Sequence, residues 1–236
     1  MVELEDFDES GLYIVFSDGT RLDLSEETIR SFAHDFLEDP AKVPPEVKKA
    51  VDFQACSICP QKESGEFCHA LLPTLPFIDK VNHYLSLEPV TVVHRDSATK
   101  FVGVKETTLQ AALQHVSVLS LIHYCEVGQK YSDFFLGLTP LMEYEEALNR
   151  IYLNIYWING GDRTKIKEVI AEFSQELTLT VRCQVNRLWL ICNKDAFINA
   201  FCTTHLITHF LSGDMDERLR KALASYRLKS NIQYNH

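Results

Sequence analysis

The sequence predicts an α+β fold that is mainly α, with two small β-hairpins packed on a bundle of about five helices. Three observations predict it. Asp18-Gly19 sits between the β-prone runs Leu12–Phe16 and Thr20–Leu24, and a turn of this kind uses glycine to reach left-handed backbone. A second pair of β-rich runs, Pro89–His94 and Lys100–Lys105, is joined by five residues, Arg95 to Thr99. Most of the remainder carries apolar residues at helical spacing between caps and glycines.

Each element has its own justification. Ser25 caps a helix whose first turn holds Glu26 and Glu27, favourable at the positive helix end. Ile29, Phe32, Ala33, Phe36 and Leu37 follow the rhythm of one buried face. Asp39-Pro40 stops that helix, and Pro44-Pro45 reads as a stiff connector. The connector divides an acidic hairpin–helix segment, residues 1–43, from a cysteine-knuckle and helical-bundle domain, residues 44–236, the two able to pack as one. Ala70–Leu87 reads as a helix that Pro73 and Pro76 kink or delay to about Thr74.

Thr107 or Thr108 caps a long helix with Leu109, Leu113, Val116, Leu119 and either Ile122 or His123 inward, ending at Cys125 ahead of Gly128. Thr139-Pro140 opens the next, which runs to about Ile158 through Leu148, Ile151, Tyr152 and Ile155. Gly160-Gly161 ends it, and Asp162 caps a helix over Arg163–Leu177. Residues 177–192 fit both periods: 177, 179, 181, 183 and 185 alternate like a strand, while 177, 181, 185, 188 and 192 form a helical stripe. Helix is preferred because helices surround the stretch. Asp195 caps Ala196–Leu211, and Met215–Tyr226 makes a last short helix.

Composition narrows the function classes. The net charge of −10 is concentrated at the start, where residues 1–40 hold twelve acidic and two basic side chains; the rest is balanced at 21 of each sign. A nucleic-acid binder needs a basic patch, and none is visible. The acidic stretch is a solvated face or a surface for a basic protein partner. Met1 to Asp6 is acidic where a secretory signal needs positive charge and an apolar run. No stretch reaches the roughly 18 apolar residues of a membrane span. The expected location is the cytoplasm, where seven cysteines serve as thiols or metal ligands rather than disulfides.

The most specific chemistry lies in Cys56-Ser57-Ile58-Cys59-Pro60 and Cys68, with Cys125 as a long-range fourth member. Two cysteines in a C-x2-C turn aim both sulfurs at one point, and four thiolates suit zinc or an iron–sulfur cluster. Cys68 is expected at a helix start, which favours thiolate, and Cys125 at a helix end, which disfavours it. Lys62, His69 or His123 would soften the charge of such a centre, and the histidines are substitute ligands. The bland alternative is three ordinary cysteines near a turn, and a C-x2-C redox pair is a further one.

Cys202, His205 and His209 share a helical face, but no glutamate accompanies them to act as a base, so a half-buried amphipathic face is the simpler reading. Cys183 and Cys192 fall in apolar runs and read as small hydrophobes. Glu143, Glu145 and Glu146 read as helix-start charge. No phosphate-binding loop, dinucleotide fingerprint or nucleophile elbow is present, which leans away from an enzyme.

Several pieces resemble an uncharacterised bacterial family of unknown function. These are the Cys56–Pro60 knuckle after Pro-Pro, Cys68, the helix ending at His123-Tyr124-Cys125, Glu145 to Arg150, and Asp195 to Ala200. The resemblance spans roughly residues 44–210. In that family a proline commonly follows the later cysteines, where this chain has His69 and Glu126. The resemblance implies that Cys56, Cys59, Cys68 and Cys125 act together, and it implies no reaction. The function expected is a cytosolic binding or regulatory protein with a structural cysteine-thiolate zinc site. The alternatives are an iron–sulfur redox sensor or electron-transfer protein on the same cysteines, and an enzyme whose site lies elsewhere.

Overall fold

Strand β1 (Gly11–Val15) carries the connection that organises the sheet, because it pairs with both hairpins. In the computed structural model, which describes residues 10–53, 55–63, 68–211 and 217, 219–221 and 223–224, β1 runs antiparallel to β2 (Arg21–Asp23) and to β3 (Pro89–Asp96). Strand β4 (Phe101–Thr108) completes an antiparallel sheet of order β2-β1-β3-β4. The two expected hairpins are therefore edge-to-edge parts of one sheet, joined by the register Tyr13 to Val93. Gly19, at φ +86°, makes the first turn, and the Asp18 carboxylate accepts the Thr20 N–H at 2.8 Å.

One face of this sheet meets the helices. Leu12, Ile14, Leu22, Val90 and Val92 join the main core, while Val15 and Val93 form a separate small cluster with Tyr13 on the other face. That division is the period-2 alternation of a pleated strand.

Helix α1 (Glu26–Glu38) is capped by Ser25 as expected, and Ile29 and Ala33 are its buried residues. Leu37 is exposed rather than inward. Pro44-Pro45 is not a mere connector. Pro44 caps α2 (Pro45–Val51), and Pro45 stands at its first position, where a missing N–H costs nothing. A 3₁₀ turn over His69–Thr74 absorbs Pro73, and α3 (Leu75–Val81) starts just after Thr74, shorter than expected.

Helix α4 (Leu109–Tyr124) is the central post. It is buried on more than one face, with Ala112, Ser117, Val118, Ser120 and Leu121 inside as well as the expected stripe. Such a helix has neighbours on several sides: the sheet, the 69–74 turn and α8 (Ala196–Leu211). Between α4 and α8, the Ser117 and Thr204 hydroxyls share a buried hydrogen bond of 2.7 Å.

A short helix, α5 (Glu126–Gln129), follows Cys125. Helix α6 spans Tyr144–Ile158. It begins later than Thr139-Pro140 suggested, because those residues form a turn closed by Met142 N–H to Thr139 O. Asp162 caps α7, which runs unbroken from Arg163 to Leu188, so the ambiguous stretch is helical through Leu188. The Asp195 carboxylate holds the Ser86 N–H and hydroxyl, both at 2.9 Å, and ties α8 to the loop before β3. Half of Met215–Tyr226 lies outside the described residues, as do residues 1–9.

Candidate metal centre

The knuckle is shaped by backbone hydrogen bonds. Cys59 N–H donates to Cys56 O at 3.0 Å, and Lys62 N–H donates to Cys59 O at 3.1 Å. The first bond closes the C-x2-C turn, and a 3₁₀ turn over Pro60–Glu63 follows it. Cys68 N–H then donates to Val51 O at 3.2 Å, anchoring the far side of the knuckle to the end of α2.

The fold brings the long-range member to the same place. Cys56, Cys59, Cys68 and Cys125 all line one cavity of about 430 Å³, together with Lys62, His69, Gln184 and Arg187. Cys125 is at once the C-cap of α4 and the N-cap of α5. The expectation that a helix end disfavours its thiolate is thus half the account. Burial pushes the Cys125 thiol up to about 11, while the N–H groups of Gly128 and Val127 pull in the other direction. Cys59 behaves alike: burial raises it, and the Gln61 N–H opposes the rise. Two of the four sulfurs therefore face backbone donors that favour their anions.

Gly128 permits this arrangement. A Cβ there would lie 2.1 Å from Leu121 O, in the backbone of α4. Only glycine lets α5 fold back this closely.

Helix α7 supplies a wall that the sequence did not reveal. Within one turn, Gln184 Nε2 donates to Cys68 Sγ at 3.1 Å, Arg187 Nη1 to Cys183 Sγ at 2.9 Å, and Arg187 Nη2 to Phe53 O at 2.9 Å. Arg187 also bonds Cys56, and Cys56 and Cys183 share a hydrogen bond. Cys183, read as a small hydrophobe, is thus a fifth thiol beside the four. Arg187 is only 2% exposed. Burial works against its charge, but the neighbouring Cys68, Cys183 and Cys56 sulfurs more than offset that and raise its pKa. The hydrogen bond from Cys56, aided by Arg187, lowers Cys183, and the same bond with burial raises Cys56.

Sulfur spacing adds a constraint. Among the described residues, no three cysteine sulfurs lie within 4.8 Å of one another; the one trio of ligand atoms that does is His34, Asp35 and Glu38, on the exposed side of α1. His123 is turned to Glu26, 3.4 Å away, and is not among the residues lining the cysteine cavity. Cys202 is exposed, and His205 Nε2 bonds Thr178 Oγ1 at 2.7 Å. The side chain of His209 lies outside the described residues.

A second, smaller cavity of about 220 Å³ lies between β4, α4, α6 and α8, lined by Lys105, His115, Glu143 and Tyr144 among others. Lys105 Nζ donates to Met142 O at 2.7 Å and pairs with Glu143 at 3.1 Å. Burial of the His115 imidazole, helped by His94, lowers its pKa to about 4. No helix among the described residues is long and apolar enough to cross a membrane. Comparison with family models, with curated proteins and with solved structures finds no match to this chain.

Proposed function

We propose that the chain is a cytosolic binding or regulatory protein built around a thiolate metal centre held by Cys56, Cys59, Cys68 and Cys125. One observation carries this reading: the four cysteines, with 56 residues separating the last two, line a single cavity beside a buried arginine. A buried guanidinium is costly unless negative charge accompanies it. A metal with four thiolates supplies that charge, and backbone N–H groups at Cys59 and Cys125 offset part of the burial that otherwise raises both thiols.

Spacing favours one occupant over the other. A tetrahedral zinc shell with Zn–S near 2.3 Å brings its sulfurs to about 3.8 Å apart. A single zinc fits this donor set only if the knuckle contracts, since no three of the sulfurs are within 4.8 Å. An iron–sulfur cluster places several iron and sulfide atoms between its cysteines, and the 430 Å³ cavity has room for them. We therefore favour a cluster, with redox sensing or electron transfer as its role. Structural zinc is the second reading, supported by the C-x2-C turn that aims Cys56 and Cys59 together.

The seven cysteines stand as thiols outside any disulfide, which suits a reducing compartment such as the cytoplasm. A basic protein surface is the partner that the acidic N-terminal segment suits.

Anaerobic purification followed by metal and sulfide analysis and a visible spectrum tests the proposal. Iron with matching sulfide and broad visible absorption is the expected result. Stoichiometric colourless zinc would select the second reading. A folded protein without metal under these conditions would overturn both.

A further inference from the structure

Cys183 has no part in the four-cysteine centre, yet it is the sulfur that touches Cys56. It accepts Arg187 Nη1 at 2.9 Å, it shares a hydrogen bond with Cys56, and Arg187 bonds Cys56 as well. Two thiols from segments more than a hundred residues apart are thus held in contact under one guanidinium. Cys183 sits on α7, a 26-residue helix, and Cys56 lies in the knuckle loop, so any movement needed to join them falls on the loop. Cys56 lines the 430 Å³ cavity and Cys183 beside it is only half-buried, so a small oxidant can reach the pair.

We propose that Cys56 and Cys183 form a dithiol that reacts with hydroperoxides and closes into a disulfide. The inference rests on the preceding reading only for its consequence, release of metal. The Cys183 thiolate attacks one peroxide oxygen. The S–O bond forms, the O–O bond breaks, and hydroxide leaves to take up a proton as water. The Cys56 sulfur then attacks the sulfenic sulfur, the S–S bond forms and the S–O bond breaks. The oxygen leaves as hydroxide, which becomes water with the Cys56 proton in the metal-free protein or with a solvent proton where Cys56 is a thiolate ligand. Two thiols are oxidised and one peroxide is reduced to two waters. Arg187 steadies the thiolate and keeps Cys56 close for the second step. A disulfide at Cys56 withdraws one of the four thiolates from the metal, so peroxide is converted into metal loss.

The test treats the full-length protein, as purified, with hydrogen peroxide and maps disulfides by mass spectrometry of unreduced peptides. The expected product joins the Cys56 and Cys183 peptides, and reduction with dithiothreitol reverses it. Cys183→Ser removes that product, keeps the metal content of the untreated protein, and raises the peroxide concentration needed for metal release several-fold. A dominant Cys56–Cys59 disulfide, or equal metal release by the variant, would overturn the inference. If the protein carries no metal, the Cys56–Cys183 product is still expected, which separates this proposal from the one on which it builds.

Discussion

Arg187 illustrates how one side chain can join a helix to a loop. Its guanidinium reaches Cys183 one turn back on α7 and Phe53 in the loop after α2. A flat fork with five donors can hold both, whereas a lysine offers a single point charge. Arg187→Met is expected to lower stability in urea by roughly 3 kcal/mol, the usual scale for removing one partner of a buried charged set. Metal retention should fall with it, and Arg187→Lys should restore neither; a variant with unchanged urea midpoint and metal content would remove Arg187 from the site.

The cysteines show what a sequence displays and hides at this scale. Cys56, Cys59 and Cys68 stand out by spacing, whereas Cys125 sits at a helix end that disfavours thiolate and meets them only through the fold. Gln184 and Arg187 lay in a stretch whose apolar residues fitted both helix and strand. The polar residues carried the missing signal: Thr180, Gln184 and Arg187 are all buried and recur at i, i+4 and i+7 beside the apolar stripe. Only a helix makes those three one column.

His115 gives the molecule a pH response that is independent of the thiols. The lowered folded-state pKa, about 4 against the ordinary 6.5, means that the imidazole stays neutral in the fold and charges readily in the unfolded chain. Its contribution is complete above pH 6.5 and is lost as the pH falls from there towards 4, because the unfolded state then binds more protons. The loss is at most about 3 kcal/mol. Lys105, Glu143 and Tyr144 line its cavity, and His94 adds to the shift. His115→Gln should flatten the acid limb of stability against pH in denaturation curves collected from pH 4 to 7; an unaltered slope would place the acid sensitivity elsewhere.

Among the elements, α5 is the one on which the proposed centre most depends, although it is four residues long. It turns the chain immediately after Cys125 and brings the Val127 and Gly128 N–H groups back onto that sulfur. Gly128→Ala puts a methyl against Leu121 O, and backbone on one side or the other must shift. Cys125 should then leave the centre, lowering metal retention about as much as Cys125→Ser while far-ultraviolet circular dichroism keeps its helical form. Normal metal content in the alanine variant would show that α5 does not position the ligand.

Proline readings at this scale had mixed outcomes, for a physical reason. Pro76 acted as a start signal for α3, within its first positions. Pro44-Pro45 has the same fixed φ whether it lies in an extended connector or at a helix start, so the pair alone does not distinguish them. At Thr139-Pro140 the cap-like sequence made a turn instead, and Lys105 on β4 holds that turn through Met142 O. That contact crosses 37 positions, beyond the range of local pattern.

For the whole molecule, the mainly helical α+β class was legible because α7, α6 and α4 carry long periodic faces. The union of the hairpins was not, since β1 and β3 each have good local partners and nothing local says they also pair with one another. The core beneath them runs from the sheet through α4 to α8 without using the knuckle as filler. If the proposed centre is loaded with metal, a chelator should therefore expose the knuckle first. Limited trypsin digestion of the chelated protein should cut at Lys62 before any site within α4, α6 or α7, and helical circular dichroism should persist. Simultaneous loss of both would mean that the centre holds the entire fold.

The pairing of β1 with β3 also sets a timetable during synthesis. Seventy-three residues separate Val15 from Pro89, so at about 5–20 residues per second β1 waits roughly 4–15 s for its partner to emerge. In that interval it presents an open edge and the apolar side chains of Leu12 and Ile14, with only the three-residue β2 beside it. The acidic side chains of residues 1–40 emerge alongside that edge, and like charge on neighbouring nascent chains disfavours adding a strand to it.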